Sequence, residues 1–354
     1  MSLHLIELLY NGIFKIIYFY CLILGIIPGV YDWQELKFKV TKLYLIFSVC
    51  IQLTFVGLTL LSSPFMLHKN NYMSNKPILQ WTQMVGTVAR ITTIIAISVQ
   101  IWLGRQGYMD LCDMYNRFLH KYHDFLKSIR CNIENAFKKE DKRLKKLMIY
   151  KFISLHLHAF AISSMYMEMQ ENPDQGYYIM VALNTMQGLY LLTANLQFML
   201  VLCQMNMRFS YINISLEALQ HEKFPANDLL NYYLILYKMH MECFQMARLV
   251  LKSSKTVTFF MLLKIFTTNI IILYHAVLVI MSTLHSNSTV NLIGTLCIVN
   301  FYWDTLLIIT AIDQVLWSCN RTASILQATC FELRRREDIE MFGKLTQLVS
   351  NENH

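Results

Sequence analysis

Six apolar stretches of about 20 residues or more run through the chain and set the strongest limit on how it can fold. They extend from Val40 to Leu61, Pro77 to Leu103, Leu147 to Met167, Tyr177 to Cys203, Val257 to Ser282 and Asn291 to Trp317. A helix needs about 20 predominantly apolar residues to cross the roughly 30 Å of hydrocarbon in a bilayer. The sequence therefore predicts about six transmembrane helices.

The overall composition supports this prediction. Of the 354 residues, 55% are hydrophobic and 15% are charged, whereas about a quarter of the residues in a typical soluble domain are charged. The core of a water-soluble protein cannot accommodate so large an apolar fraction. Only 11 Gly and 5 Pro are present to form β-turns. We therefore predict an all-α, polytopic helical membrane protein.

Basic residues are concentrated in alternate connections between the apolar stretches. The first, third and fifth connections contain only Lys69 and Lys76, whereas 104–146 contains eleven basic residues, 204–256 six and the final segment 318–354 five. Cytoplasmic loops carry the excess of Lys and Arg in membrane proteins. These three segments and both termini are therefore predicted to be cytosolic, in a plasma-membrane protein. The net charge of +8 reflects this topology and not a nucleic-acid partner.

The long basic segments are themselves helical in pattern. Apolar residues recur at helical spacing between charged residues in 108–127 and in 229–251, which predicts helices that extend beyond the membrane and form an inner layer. This layer is expected to pack against itself or other subunits. The predicted domains are 1–39, a cytosolic N-terminal part with an interfacial helix; 40–317, a six-helix bundle with cytosolic helical segments at 104–146 and 204–256; and 318–354, a cytosolic C-terminal helical segment.

A shorter apolar stretch near the N-terminus leaves the number of spans open. Ile16 to Val30 has only 15 residues, follows Lys15 and ends at Gly29 after Pro28, so we interpret it as an interfacial or partly buried helix. A signal peptide is disfavoured because no basic cluster precedes the stretch. If the stretch did span, the chain would have seven spans and an outer N-terminus, the arrangement of a G-protein-coupled receptor.

Two charged residues lie deep within predicted spans. Arg90 follows Pro77 by thirteen residues and Asp304 follows Asn291 by thirteen, which places both about 20 Å from the outer face at 1.5 Å rise per residue. Charged groups at that depth usually face a partner or a water-filled cavity. Arg90 and Asp304 are predicted to pair or to line one cavity. Lys264 is predicted nearer the cytosolic side, where snorkelling explains it.

One stripe of the sixth span carries Asn300, Asp304, Ala311 and Gln314 at helical spacing, flanked by Trp303, Thr310 and Trp317. This face is expected to look inward. With polar side chains from other spans it would form a pocket with aromatic walls and polar anchors, suited to a small organic ligand. The alternative is hydrogen bonding between helices, which we rank above ligand contact for any single Asn or Gln.

Motifs of catalysis and metal binding are missing from the sequence. It contains no Walker A sequence, no G-x-S-x-G and no H-E-x-x-H, and its nine cysteines include no C-x-x-C pair. We therefore predict no enzyme activity, no cofactor, no metal site and no disulfide framework. Asn287-Ser288-Thr289 is a glycosylation sequon in a predicted outer connection, so Asn287 is a candidate acceptor.

Two segments carry a resemblance to a known family. Tyr18 to Pro28 has the form Tyr-x-Tyr-x-x-x-Leu-Gly-Ile-Ile-Pro, and Arg334 to Phe342 is followed by Leu345, Leu348 and Ser350. Together with the short outer connections, the long helical inner segments and the Tyr- and Met-rich composition, they resemble the insect gustatory receptors. The closing segment is similar to the family's helix that precedes its seventh span.

The resemblance implies a seven-span, ligand-gated cation channel that assembles as a homo- or hetero-tetramer and responds to a small-molecule tastant. The family's motif of Thr-Tyr, five apolar residues and Gln-Phe belongs to its last span, and this chain stops at His354, before such a span. The expectation is therefore a chain that lacks the seventh span and conducts with complete partner subunits.

The resemblance also suggests where a ligand would bind. The family's pocket, carried over to this chain, falls on Arg90, His158, Asn184, Gln187, Asn300, Trp303 and Asp304. Two other classes stay open from the residues alone, namely a G-protein-coupled receptor and a small-molecule transporter. A transporter is disfavoured because the sequence shows neither repeated halves nor paired Gly or Pro interruptions in its spans.

Overall fold

The computed structural model describes residues 3–27, 29–32, 37–68, 77–129, 134–168, 174–221, 226–281 and 288–335. Within these ranges the chain forms α1 (Leu3–Ile23), β1 (Val30–Asp32), β2 (Lys37–Lys39), α2 (Lys42–His68), α3 (Pro77–Leu103), α4 (Arg105–Ser128), α5 (Glu134–Glu168), α6 (Gln175–His221), α7 (Ala226–Ile280) and α8 (Ser288–Arg335). The two strands pair antiparallel, with Tyr31 opposite Phe38. The predicted all-α fold is confirmed, with this short hairpin as an addition.

The last three helices are much longer than a bilayer is thick. They contain 47, 55 and 48 residues, which corresponds to about 70 to 80 Å at 1.5 Å rise per residue. The hydrocarbon of a bilayer is roughly 30 Å thick. Each of these three helices must therefore continue well beyond the hydrocarbon. The stretches 108–127 and 229–251, which the sequence predicted to be helical, lie within α4 and α7.

Six stretches of the described chain are long and apolar enough to cross a membrane. They are Ile6–Ile23, Lys42–Ser62, Gln80–Leu103, Asn135–Ser164, Gln175–Gln220 and Leu292–Ala328. The last five overlap predicted spans. The first, Ile6–Ile23, lies in α1, so the helix predicted over Ile16 to Val30 begins and ends earlier than predicted, and Val30 belongs to β1. The predicted span 257–282 falls in α7, whose end borders residues outside the described ranges.

These stretches expose much of their apolar surface. Only 22% to 50% of each is buried inside the bundle. Leu43 and Leu103 are each 83% exposed and Phe160 is 73% exposed. Contiguous apolar surface of this extent is unfavourable in water, but in a bilayer it faces lipid of similar polarity. The fold is therefore that of a multi-pass membrane protein.

The turn after α1 sets how far that helix enters the bundle. Gly25 has φ +63°, a left-handed conformation that glycine adopts without steric cost. Its carbonyl accepts hydrogen bonds from Ser48 Oγ (2.9 Å) and Gln52 Nε2 (3.1 Å). The turn thus lies beside the first turns of α2, which continues to His68. α1 therefore ends beside the part of α2 that contains Ser48 and Gln52.

A break at Gly104 separates α3 from α4. The Gly104 N–H donates to the Gln100 carbonyl (2.7 Å), and the Gly104 carbonyl accepts from the Tyr108 N–H (3.0 Å), so the hydrogen bonding nearly continues across the break. A Cβ at position 104 would lie 2.8 Å from the Gln100 oxygen. Glycine permits this close approach, and it allows α4 to pack against α7.

Buried apolar residues form two cores along the length of the molecule. One joins α1, α2, α3, α5 and α6 around Ile17, Ile94 and Tyr190. The other joins α4 to the ends of α6, α7 and α8 around Phe118, Phe209 and Leu236. We call the second region the extension layer, consisting of α4 and residues 134–146, 204–221, 226–256 and 318–335, and the remainder of α2 to α8 the spanning bundle.

Candidate functional site

Charged and polar side chains from five helices meet inside the spanning bundle. The group consists of Arg90 on α3, Lys151 and His158 on α5, Asn184 on α6, Lys264 on α7 and Asp304 on α8. We call it the five-helix cluster. Each of these residues lies on an otherwise apolar stretch of its helix. They come together only when the five helices pack, so no single segment reveals the cluster.

Lys151 and Asp304 form a buried ion pair. The Lys151 ammonium lies 2.5 Å from Asp304 Oδ1 and 3.3 Å from the Asp304 carbonyl oxygen. The Lys151 side chain is fully buried and that of Asp304 is 11% exposed. Because both charges have left water, each depends on the other for compensation. The pair joins α5 to α8.

The structure contradicts one of the two alternatives predicted for Arg90 and Asp304, namely that they pair with each other. The stripe that contains Asp304 and Ala311 does face inward, since these residues are 8% and 2% exposed. However, the acid pairs with Lys151 and not with Arg90. Lys151 was overlooked because it lies four residues inside the predicted third span, where snorkelling is common. It is nevertheless the single Lys, Arg, Asp or Glu between Leu147 and Met167, a signal that identifies it.

Arg90 lies on the opposite side of the cluster. One of its guanidinium nitrogens donates to the Asn184 side-chain oxygen, and Asn184 is buried. Thr93 Oγ1 lies 3.3 Å from the Phe260 carbonyl of α7, and a Cβ at Gly86 would lie 2.9 Å from Ile271 Cδ1. Arg90 is between these two contacts on α3.

These two contacts also place Lys264 beside Arg90, because Lys264 lies between Phe260 and Ile271 on α7. Lys264 is within electrostatic range of both Arg90 and Asp304. Lys264 therefore belongs to the same region of the bundle as Arg90 and Asp304.

His158 lines the same space from α5. The residue is 9% exposed, and its ring lies 5.5 Å from that of Phe301, centroid to centroid. Its Nδ1 has no hydrogen-bond partner among the described residues. Lys151 and Lys264 are both within electrostatic range of the imidazole. The structure thus brings together four of the predicted site residues, namely Arg90, His158, Asn184 and Asp304.

The other predicted residues lie outside this cluster. Gln187 is buried and donates to Ser62 Oγ at 2.8 Å, a contact between α6 and α2. The backbone carbonyl of Asn300 lies 3.5 Å from Ser154 Oγ. Trp303 is 49% exposed, because successive residues on a helix differ in direction by about 100° and its neighbour Asp304 points inward. Asn287 lies outside the described residues.

A cavity of about 120 Å³ lies farther along the bundle, and its walls include Ile97 of α3 and Met261 of α7. It is bounded by the α3–α4 break, α6 and α7, with mostly apolar walls. The polar residues that line it are Gln100, Arg105, Tyr108, Gln197, Ser253, Ser254 and Thr258. None of the seven predicted ligand residues lines it. The cluster and this cavity are therefore two distinct candidate sites.

The extension layer is held by buried polar contacts of a different kind. Asn213 donates to the Ser318 carbonyl (2.7 Å) and accepts from Thr322 Oγ1 (2.7 Å), while Ser318 Oγ donates to Asn206 Oδ1 (2.7 Å). All four residues are at most 3% exposed. These amides and hydroxyls satisfy one another between α6 and α8, which is a structural role.

His240 is also buried in this layer. The residue is 4% exposed and its ring lies 5.5 Å from that of Phe209. Burial disfavours the charged imidazolium and lowers the pKa of His240 from 6.5 to about 4. The side chain is therefore neutral at physiological pH.

Side chains of the kinds that bind metal ions are not clustered in the part of the chain that the structure covers. No set of three His, Cys, Asp or Glu side chains there could hold a metal ion. Cys21, Cys50, Cys112, Cys203, Cys243, Cys297 and Cys319 are free thiols.

The fold and the five-helix cluster define a class: a multi-pass helical membrane protein with a charged site inside its bundle. The family within that class is given by sequence comparison. The chain matches the 7tm Chemosensory receptor family over residues 14–350, nearly its whole length, and it belongs to that family.

Two curated proteins of Drosophila melanogaster are similar to the chain. Putative gustatory receptor 58a is 21% identical over 318 residues, which cover 85% of this chain and 78% of that protein. Putative gustatory receptor 58b is 26% identical over 317 residues, which cover 87% of this chain and 73% of that protein. The predicted membership in a chemosensory receptor family is thereby confirmed.

Proposed function

We propose that the chain is a gustatory-type receptor that binds a small tastant at the five-helix cluster and contributes to ligand-gated cation conductance together with related subunits. The observation that carries the proposal is the cluster itself, in a chain of the chemosensory receptor family. A bundle stabilised only by packing does not need three basic groups and an acid in its interior, because charges there are costly and usually mark a functional site.

The charge of the cluster supports a ligand site over helix association. Hydrogen bonds between membrane helices contribute modestly and are commonly made by neutral side chains. Such contacts occur elsewhere in this bundle, for example between Gln187 and Ser62. The cluster differs in containing Arg90, Lys151 and Lys264, whose charge exceeds that of Asp304.

The proposed orientation follows the charge distribution. Segments 104–146, 204–256 and 318–354 carry most of the basic residues, so the extension layer and both termini are proposed to lie in the cytosol and the receptor in the plasma membrane. A tetramer with related subunits, with the extension layer as the contact region, follows from the family resemblance. An epitope tag at the N-terminus should be detected only after permeabilisation, and detection on intact cells would favour the G-protein-coupled arrangement instead.

Current recording tests the function. The chain is expressed alone, a full-length gustatory receptor is expressed alone, and the two are expressed together, each during application of sugars, amino acids and bitter organic compounds. We expect a ligand-evoked cation current in the combination that differs from that of the partner alone. Identical responses with and without this chain would contradict a role in conduction.

A further inference from the structure

The charges of the five-helix cluster do not balance. Arg90, Lys151 and Lys264 contribute three basic groups, and Asp304 contributes one acid. The Lys151 ammonium pairs with the Asp304 carboxylate at a distance of 2.5 Å. Two basic groups are then left on the α3–α7 side of the same space.

Neither remaining base forms an ion pair with a carboxylate among the residues that the structure describes, and the Asp304 carboxylate within electrostatic range of Lys264 is already paired with Lys151. Arg90 has the side-chain oxygen of Asn184, which supplies a dipole and not a countercharge. The Lys264 side chain makes no hydrogen bond or ion pair with any described residue. Contacts at Thr93 and Gly86 hold α3 close to α7 on either side of these two residues, so the two bases start from neighbouring backbone positions.

Two neighbouring cations inside a bundle are unfavourable. Removing a charge from water costs several kcal/mol in order of magnitude, and like charges repel more strongly at low dielectric. An anion placed between them would reverse both effects. A bidentate carboxylate also matches the planar donors of a guanidinium.

The surrounding groups suit an organic anion better than an inorganic one. Among the described residues His158 presents an Nδ1 without a hydrogen-bond partner, and the ring of Phe301 lies 5.5 Å from the imidazole. A ligand that combines a carboxylate with an apolar or aromatic body would satisfy the bases and cover the ring. Both Arg90 and Lys264 keep part of their surface accessible.

We propose that the five-helix cluster takes a small organic carboxylate, whose negative charge lies between Arg90 and Lys264. This inference rests on the proposed function, because it names the ligand class of the same site. The Lys151–Asp304 pair then forms the neutral wall of the site, and Asn184 fixes the guanidinium that faces the ligand.

Binding is measured on the purified full chain in lipid nanodiscs, by thermal unfolding. The compounds are benzoate and hexanoate, with benzamide and hexanamide as neutral partners of nearly the same shape. We expect both carboxylates to raise Tm in a saturable manner and the amides to leave it unchanged. Equal shifts from the amides, or no shift from either carboxylate, would overturn the proposal.

Variants of Lys264 test whether the carboxylate binds at this residue. Lys264→Met should weaken the apparent Kd for benzoate by about tenfold or more, and Lys264→Arg should retain binding. Lys255→Met, an exposed lysine on the same helix, serves as the matched control. Lys264→Met should also unfold at a higher temperature than the unaltered chain without ligand, because it removes an uncompensated cation. An unchanged benzoate affinity in Lys264→Met would contradict the assignment.

The outcome is separable from that of the current recordings. Carboxylate binding without any ligand-evoked current would refute the proposed conductance and retain this inference. Currents evoked by neutral tastants, without carboxylate binding in nanodiscs, would retain the receptor function and refute the carboxylate.

Discussion

The ammonium group of Lys151 shows how strongly one residue can couple two membrane helices. It is fully buried and lies 2.5 Å from the Asp304 carboxylate. Replacing both members of such a pair by apolar residues is often tolerated, whereas removing one leaves an uncompensated charge. The pair therefore contributes little net stability but makes α5 and α8 depend on each other.

Lys151→Met should destabilise the folded bundle by about 3–5 kcal/mol, because it leaves Asp304 without its partner. The double variant Lys151→Met/Asp304→Leu should recover most of that loss. Unfolding in detergent micelles measures both, with Lys127→Met as control, since Lys127 belongs to an exposed pair with Asp124. A double variant as unstable as the single one would contradict this account.

His240 should make the extension layer sensitive to acid. Its pKa is about 4 in the folded chain, below the ordinary histidine value of 6.5, so the unfolded chain binds the proton first as pH falls. Stability should therefore be constant above pH 6.5 and decline below it, by up to about 2 kcal/mol at pH 5. His240→Gln should flatten this decline in unfolding measured between pH 7 and 5. An equal decline in the variant would assign the acid sensitivity to other groups.

At the scale of elements, the helices follow from the sequence and their contacts do not. Apolar length and periodicity predicted the helices at 108–127 and 229–251 and the inward face of Asp304, because these properties are local to one helix. The rotation of α5 relative to α8, and of α3 relative to α7, decides that Lys151 meets Asp304 and that Lys264 stands beside Arg90. Such rotations depend on the packing of all neighbours at once, so a single segment does not reveal them.

The contacts between α6 and α8 give an element-scale prediction. Asn213→Ala should destabilise the extension layer by about 1–3 kcal/mol, because it leaves the Ser318 carbonyl and the Thr322 hydroxyl with a lost partner in a buried site. The exposed residue Asn320 on α8 provides the control Asn320→Ala. Hydrogen exchange at the ends of α6 and α8 reports the change locally. Unaltered protection in Asn213→Ala would show that these bonds do not hold the two helices together.

At the scale of the whole molecule, the spanning bundle and the extension layer have different roles in folding and in the proposed function. The spanning bundle has apolar side chains facing outwards and charges inside, whereas the extension layer buries a core of Phe118, Phe209 and Leu236. The long helices α6, α7 and α8 run through both regions. Three continuous helices therefore connect the cluster with the extension layer.

The central claim is that the ligand acts at the five-helix cluster, and not at the cavity beside the α3–α4 break. Dose–response curves of ligand-evoked current test it directly, with Arg90→Gln altering the cluster and Thr258→Val altering the cavity wall. We predict a shift of the curve to at least about tenfold higher ligand concentration in Arg90→Gln and an unchanged curve in Thr258→Val. A shift in Thr258→Val with an unchanged curve in Arg90→Gln would contradict the account.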